Sequence, residues 1–478
     1  MYSINLKYLL SSMIKKVKNK LLPTILVIIW LLIPVCLHSQ PAKRDTLRLK
    51  IDLPLFDLPY QKEAMDAVGS GFFGSYANPS MSQSLAVSTG VYSSFHFGMK
   101  HFYENSNIRN RFVRRLIYDW GTLAGDLLLL YLPGGEAWLH EEYHRAVMSR
   151  HGANSFNGVN RFPVGSSIIA VSKVKDEDLM RIKEKSPSDM VRLHASGIEG
   201  QYLLINNLQR NNFFYDLQLN NQPLYLISTL NSHFYIILST SPKFADKNMT
   251  KMNEKETTIA SRDFTGFDFT AWAYDLFRPD EPYEARGVHP SGVGINRYRT
   301  TKDLTADELK YVKRQGYWHF LNYLSPMLFN INSIPLGNRG LSGNFAMRHL
   351  LTSFGTAVSA HVFLKQEPFK MAFAYHSYLN YRHYFPAVEA ELVDYPLNLG
   401  NFGLYLSPRT IIGMQPKGQE FRSGKPEFLG LLGLRIDFMA SRHFLPYIDF
   451  SAKTNGWVAG NDYLTSNASV RMGVSARF

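Results

Sequence analysis

The last ten residues, SVRMGVSARF, put Val470, Met472, Val474, Ala476 and Phe478 on one face of an extended chain and Ser469, Arg471, Gly473, Ser475 and Arg477 on the other. Upstream, KMAFAYHSYLNYR sets Met371, Phe373, Tyr375, Leu379 and Tyr381 against Ala372, Ala374, His376, Asn380 and Arg382, and GTAVSAHVFLK repeats the pattern. From 343 to 478 about eight such runs follow one another, broken at Pro368, Pro396, Pro408 and Gly424. The stretch 85–100, LAVSTGVYSSFHFGMK, predicts a further strand, and 47–55, LRLKIDLPL, a shorter one weakened by Pro54.

Between 105 and 336 the apolar period lengthens from two to near 3.6. One helix is predicted over 108–132, ended by Pro133-Gly134-Gly135, and a second from Glu136 to His151, with Gly152 placed to stop it. Ser186-Pro187 opens a third, and the capping box from Thr305 to Glu308 opens a fourth that Pro326 interrupts.

Residues 1–39 have the layout of a secretory leader: five lysines and no acid lead into and flank an apolar run that ends in small and polar residues. Its removal takes away the chain's one cysteine, Cys36, and lowers the formal charge from +13 to +8. No disulfide framework is then possible. The remaining mildly basic surface reads first as ordinary solvated charge and second as a contact for anionic lipid head groups or lipopolysaccharide, and no nucleic-acid partner is expected. Low charged content, 19%, beside 14% aromatics fits a transmembrane barrel.

A final strand that alternates in this way and ends on Phe478 resembles the C-terminal signal of bacterial outer-membrane barrels. The resemblance implies insertion by a barrel-assembly machinery and an outer-membrane location with lipid as neighbour. The expected fold class is therefore α+β: an antiparallel transmembrane barrel of about eight to ten strands, from 40–104 and 337–478, with a helical domain inserted over 105–336. A barrel of that size is too narrow to hold such a domain, which is expected outside one rim.

Inside the second helix, His140-Glu141-Glu142-Tyr143-His144 fits H-E-x-x-H. Positions i and i+4 share a helix face, so the two imidazoles can meet one ion, and Glu141 can take a proton from water bound to it. The motif resembles that of zinc metallopeptidases, with Glu142 and Arg145 departing from the usual uncharged neighbours. In LHASGIEGQ, small residues surround Glu199, fifty-five residues after His144. The arrangement is similar to that of gluzincins, where a glutamate from a later helix completes the zinc site, and this implies His140, His144 and Glu199 as ligands.

His194 and His151 are alternative third ligands. Asp119 and Asp126 read first as partners of Arg114, Arg115 or a neighbouring helix and second as groups that orient the ligating imidazoles, and His289 and Arg297, in a Gly-punctuated loop, are candidates to stabilise an oxyanion. The leading expectation is an outer-membrane zinc hydrolase, a peptidase in the first instance. A metal-dependent lipid hydrolase and a non-enzymatic channel or assembly protein with a helical plug are the alternatives.

Overall fold

Alternation in the C-terminal third becomes a single antiparallel sheet, and the helical elements gather against it. The computed structural model describes residues 47–68, 77–161, 170–337, 340–399 and 402–478. The leader expected over 1–39 lies outside them. In chain order the elements are β1 (Lys50–Leu58), α1 (Tyr60–Val68), α2 (Met81–Asn105), α3 (Arg111–Leu129), α4 (Glu136–Arg150), the short β2 (Phe156–Asn157) and β3 (Val171–Ser172), and α5 (Asp176–Lys185). Next come α6 (Pro187–Tyr215), α7 (Gln222–Leu238), α8 (Ala245–Lys255), α9 (Asp268–Phe277) and α10 (Ala306–Trp318). The chain then enters the sheet through β4 (Ile334–Pro335), β5 (Ser342–Thr352), β6 (Gly355–Gln366), β7 (Phe369–Leu379), β8 (Tyr384–Leu392), β9 (Tyr395–Leu399), β10 (Phe402–Pro416), β11 (Pro426–Phe438), β12 (Phe444–Lys453) and β13 (Asn467–Arg477).

The sheet has eleven strands in the order β1-β13-β12-β11-β10-β8-β7-β6-β5-β4, with β9 paired to β10. The run at 47–55 thus supplies a strand: Lys50 pairs with Arg477 and Leu58 with Val470, across a bulge at Pro54. Among the described residues β1 and β4 are not paired with each other, so the sheet is not closed on itself. Its alternation is inverted relative to a water-soluble sheet. Ser469, Ser475 and Arg477 are buried, whereas Val362, Phe373 and Phe450 point outward and are each more than 40% exposed.

Two expectations are corrected here. The run at 85–100 is not a strand but the middle of α2, which begins at a capping box in which Ser80 and Gln83 bond each other's backbone. Its small residues Ser84, Ser88, Gly90 and Ser93 are buried together with Met81, Tyr92 and His96, and Gly90 lets α2 approach β1 closely at Ile51. The helical part is also not confined to the outside of a rim. Helix α6 lies along the polar, concave side of the sheet: Tyr202 Oη is 2.9 Å from His361 Nε2, Arg210 pairs with Glu391 at 2.7 Å, and Lys50 Nζ donates to Tyr215 Oη at 2.9 Å. An open sheet can bend round a helix that a closed one of this size could not admit.

Other elements follow their sequence signals. Pro187 stands in the first turn of α6, the Thr305–Glu308 box caps α10, and α10 gives way to a 3-10 turn at His319 before Pro326. Among the described residues no helix is long and apolar enough to cross a membrane.

Candidate metal centre

Helix α4 is buried along nearly its whole length, its first turn entered from Gly135 and its end marked by Gly152 at φ +72°. Burial explains the two charges that depart from the usual motif. Arg145 Nη1 donates to both oxygens of Glu142 at 2.6 Å, its Nη2 donates to Ala77 O at 2.8 Å and to Asn78 Oδ1 at 2.7 Å, and Asn157 Nδ2 donates to Glu142 Oε1 at 2.9 Å. These bonds satisfy a buried ion pair and fix the rotation of α4 about its axis.

That rotation turns His140 and His144 toward the first turn of α9. Asp268 Oδ2 lies 3.0 Å from His140 Nε2 and 3.5 Å from His144 Nε2, and the ligating atoms of the three residues all fall within 4.8 Å of one another. Tetrahedral bonds of about 2.0–2.1 Å place neighbouring ligand atoms roughly 3.3 Å apart, so the observed pair of distances brackets what zinc requires. His144 is oriented from behind: its Nδ1 donates to Leu193 O at 2.5 Å, which leaves Nε2 as the lone-pair nitrogen, buried and without a hydrogen-bond partner.

Helix α6 is the support for this geometry. A Cβ on Gly197 would collide with the His140 ring, and one on Gly200 would press on the Tyr143 ring. The two glycines let α4 and α6 approach closely, as their place in the sequence suggested. What they admit, however, is the histidine ring. Glu199 is turned about 100° round the helix from Gly200 and faces elsewhere. Its Oε1 accepts from Arg192 Nη2 at 2.9 Å and from the Gly460 N–H at 2.8 Å, and its Oε2 accepts from Trp457 Nε1 at 3.1 Å. Glu199 therefore ties α6 to the β12–β13 loop, and the third acid beside the histidines is Asp268.

Electrostatics divide the acids of the centre by role. Burial works against the charge of Asp268, but the imidazoles of His144 and His140 outweigh it and hold the carboxyl well below its ordinary range. Glu141 is pushed up to about 8, first by burial and then by the neighbouring carboxylates of Asp263 and Asp268. Asp263, raised chiefly by burial and by Glu256, closes that side through hydrogen bonds from the Phe264 and Gly266 N–H groups. Tyr235 stands at the opposite edge, its ring 6.1 Å from that of His140 and its Oη accepting from the Asp268 N–H at 3.3 Å.

The remaining predicted residues lie apart from the three ligating groups. Asp126 takes His96 Nε2 at 2.7 Å between α2 and α3, and Asp119 pairs with Arg115 and Asn220, so neither orients His140 or His144. His194 bridges Asp275 at 2.7 Å and Thr265 at 2.9 Å, and its ring stacks on Phe264, whose ring in turn lies 5.0 Å from that of His144. His151 bonds Asp189. His289 bonds Ser291, and Arg297 is spent on Asp176 and on the carbonyl of Val174; both hold the 285–299 loop together.

Sequence reasoning missed Asp268, Asp263 and Tyr235. Asp268 stands at the first position of a helix, where an acid is common for reasons of capping and dipole alone, so nothing in its surroundings marks it as a ligand. No family model, curated protein or solved structure matches this chain.

Proposed function

We propose that the protein is a membrane-embedded zinc-dependent hydrolase, with His140, His144 and Asp268 as ligands and Glu141 as general base. The observation that carries this reading is the convergence of two imidazoles and one carboxylate, whose ligand atoms all lie within 4.8 Å of one another, beside a buried acid that makes no hydrogen bond or ion pair among the described residues. Three protein ligands suit a hydrolytic centre, since structural zinc sites take four and leave no open position. Zinc would supply Lewis acidity and a bound water whose pKa falls to about 7.

The chain's own groups do the rest. Leu193 O fixes the tautomer of His144, and Asp268 keeps its charge against burial. A cation nearby favours the carboxylate form of Glu141, which then accepts the water proton and returns it to the leaving group. Tyr235, whose Oη accepts from the Asp268 N–H beside the histidines, would be the donor to a developing oxyanion. The bond cleaved is an amide or ester, and a peptide is the preferred substrate over a lipid.

Location in an outer membrane is supported by the inverted alternation of the sheet and by the aromatic terminus at Phe478, the feature a barrel-assembly machinery would engage. The channel reading has less support, because α6 occupies the concave side and leaves a cavity of about 370 Å³ lined by paired charges such as Arg409 with Glu389. Digests of peptide and lipid substrates by the wild type and Glu141→Gln test the proposal. Loss of turnover by 10²- to 10⁴-fold with zinc retained supports it. Unchanged turnover refutes it.

A further inference from the structure

Among the described residues, β1 and β4 end the sheet without pairing with each other, and a run of contacting helices links the two edges. Helix α2 covers β1: Ser80 Oγ donates to Asp57 Oδ2 at 2.6 Å, and Gly90 brings the helix against Ile51. Helix α3 packs on α2, with His96 bonded to Asp126 and Gly125 facing the Phe95 ring. Asp119 of α3 accepts from Asn220 at the start of α7, and on α7 the His233 ring lies 4.1 Å from that of Phe320. The segment after α10 then rejoins the sheet through the Met347 N–H, which donates to Leu324 O at 2.9 Å. These contacts run without a break from β1 through the helices to β5.

We infer that the outer face of this helical sector, with α3 at its centre, lies in the hydrocarbon of the bilayer beside the sheet's apolar face. The inference rests on the membrane reading of the sheet given above. Along α3 and just past it, Phe112, Leu116, Trp120, Leu127, Leu128 and Tyr131 are 74, 44, 63, 48, 66 and 55% exposed. They recur at helical spacing on one face, while Tyr118, Thr122 and Asp126 are buried on the other. A soluble surface would carry charge there; patches of this kind mark an interface.

Three observations select lipid as the occupant over a second copy of the chain. The apolar row does not end at α3 but continues through Phe234, Trp318, Phe320 and Phe329 to Phe345 on β5, so it runs along the helical sector into the sheet. A dimer contact would cover one side only. Second, the nineteen residues of α3 rise about 28 Å, close to the roughly 30 Å of a bilayer's hydrocarbon core. Third, Arg109, Arg111, Arg114 and Arg115 gather at one end of the helix, where anionic head groups would meet them. Mean hydropathy passes over such a helix because its buried face is polar.

The tryptophans make this measurable. Trp120 and Trp318 are exposed, whereas Trp138, Trp272 and Trp457 are buried. The full chain with Trp30→Phe, which removes the tryptophan of the apolar N-terminal run, is reconstituted into phosphatidylcholine–phosphatidylglycerol vesicles with brominated acyl chains, and quenching is compared for this background, for Trp120→Phe in it, and for Trp120→Phe carrying Phe373→Trp on the outer face of β7. Quenchable emission should drop by roughly half in Trp120→Phe and be restored by Phe373→Trp. If Trp120→Phe changes nothing while Phe373→Trp is quenched, the helical wall is overturned and the membrane reading of the sheet stands. If neither position is quenched, both fall.

Discussion

Asp268 Oδ2 stands 3.0 Å from His140 Nε2, although 128 residues separate the two in the chain. The contact exists because α4 is held in rotation by the Glu142–Arg145 pair and because Gly197 leaves room for the imidazole ring. The geometry of the His140–His144–Asp268 cluster is thus a consequence of how tightly α4 and α6 pack.

Gly197 provides a test with opposing signs. Gly197→Ala favours the helix by about 1 kcal/mol in propensity but pushes its Cβ into the His140 ring. Zinc affinity should fall about 10- to 100-fold, the range seen when a ligand's support is disturbed. Competition with a chromophoric chelator reads this directly. Unaltered affinity would mean that His140 is not a ligand in this orientation.

Glu199 should matter for stability and not for metal. Its removal leaves Arg192, fully buried, without its ion-pair partner and frees the 457–460 loop. Glu199→Ala should cost about 3–5 kcal/mol in denaturant unfolding. Zinc bound per folded chain should stay at the wild-type value.

Acid sensitivity should trace to Asp275. Burial opposes its charge, but Arg286, the hydrogen bond from His194 and Lys183 hold the carboxyl well below its ordinary value. A depressed carboxyl contributes stability that is full above its unfolded pKa of about 3.9 and is lost as pH falls toward the folded value. His194, held down chiefly by burial, adds a loss in the same direction beginning near its unfolded value of about 6.5. Unfolding measured from pH 7 to pH 3 should therefore show stability falling throughout, with a shallower fall below about pH 5 in Asp275→Asn.

The legible parts of this chain were those with local causes. HEEYH, the proline that opens α6, the Thr305 box and the alternation of β13 each act within a few residues, and each element stands where those signals put it. The 85–100 run was misread because its serines and apolar residues alternate by chance in a helix whose buried side includes small polar groups. The Ser80–Gln83 box that starts it is the signal that would have corrected the reading.

The pairing of α4 with α6 was legible in Gly197 and Gly200, but the identity of the third acid was not. Rotation about the axis of α6 decides whether Glu199 or a residue from elsewhere meets the histidines, and sequence spacing does not report rotation. Bending of the sheet round α6 was likewise hidden, since it depends on pairs such as Tyr202 with His361 and Arg210 with Glu391, far apart in the chain.

The most direct test of the central claim is the zinc content of purified protein, measured by mass spectrometry of the metal for wild type, Asp268→Ala, Glu199→Ala and the double variant His140→Ala with His144→Ala. One zinc per chain in wild type and in Glu199→Ala, with loss in the other two, is the predicted result. Equal zinc in wild type and Asp268→Ala, or none in any of the four, would contradict it.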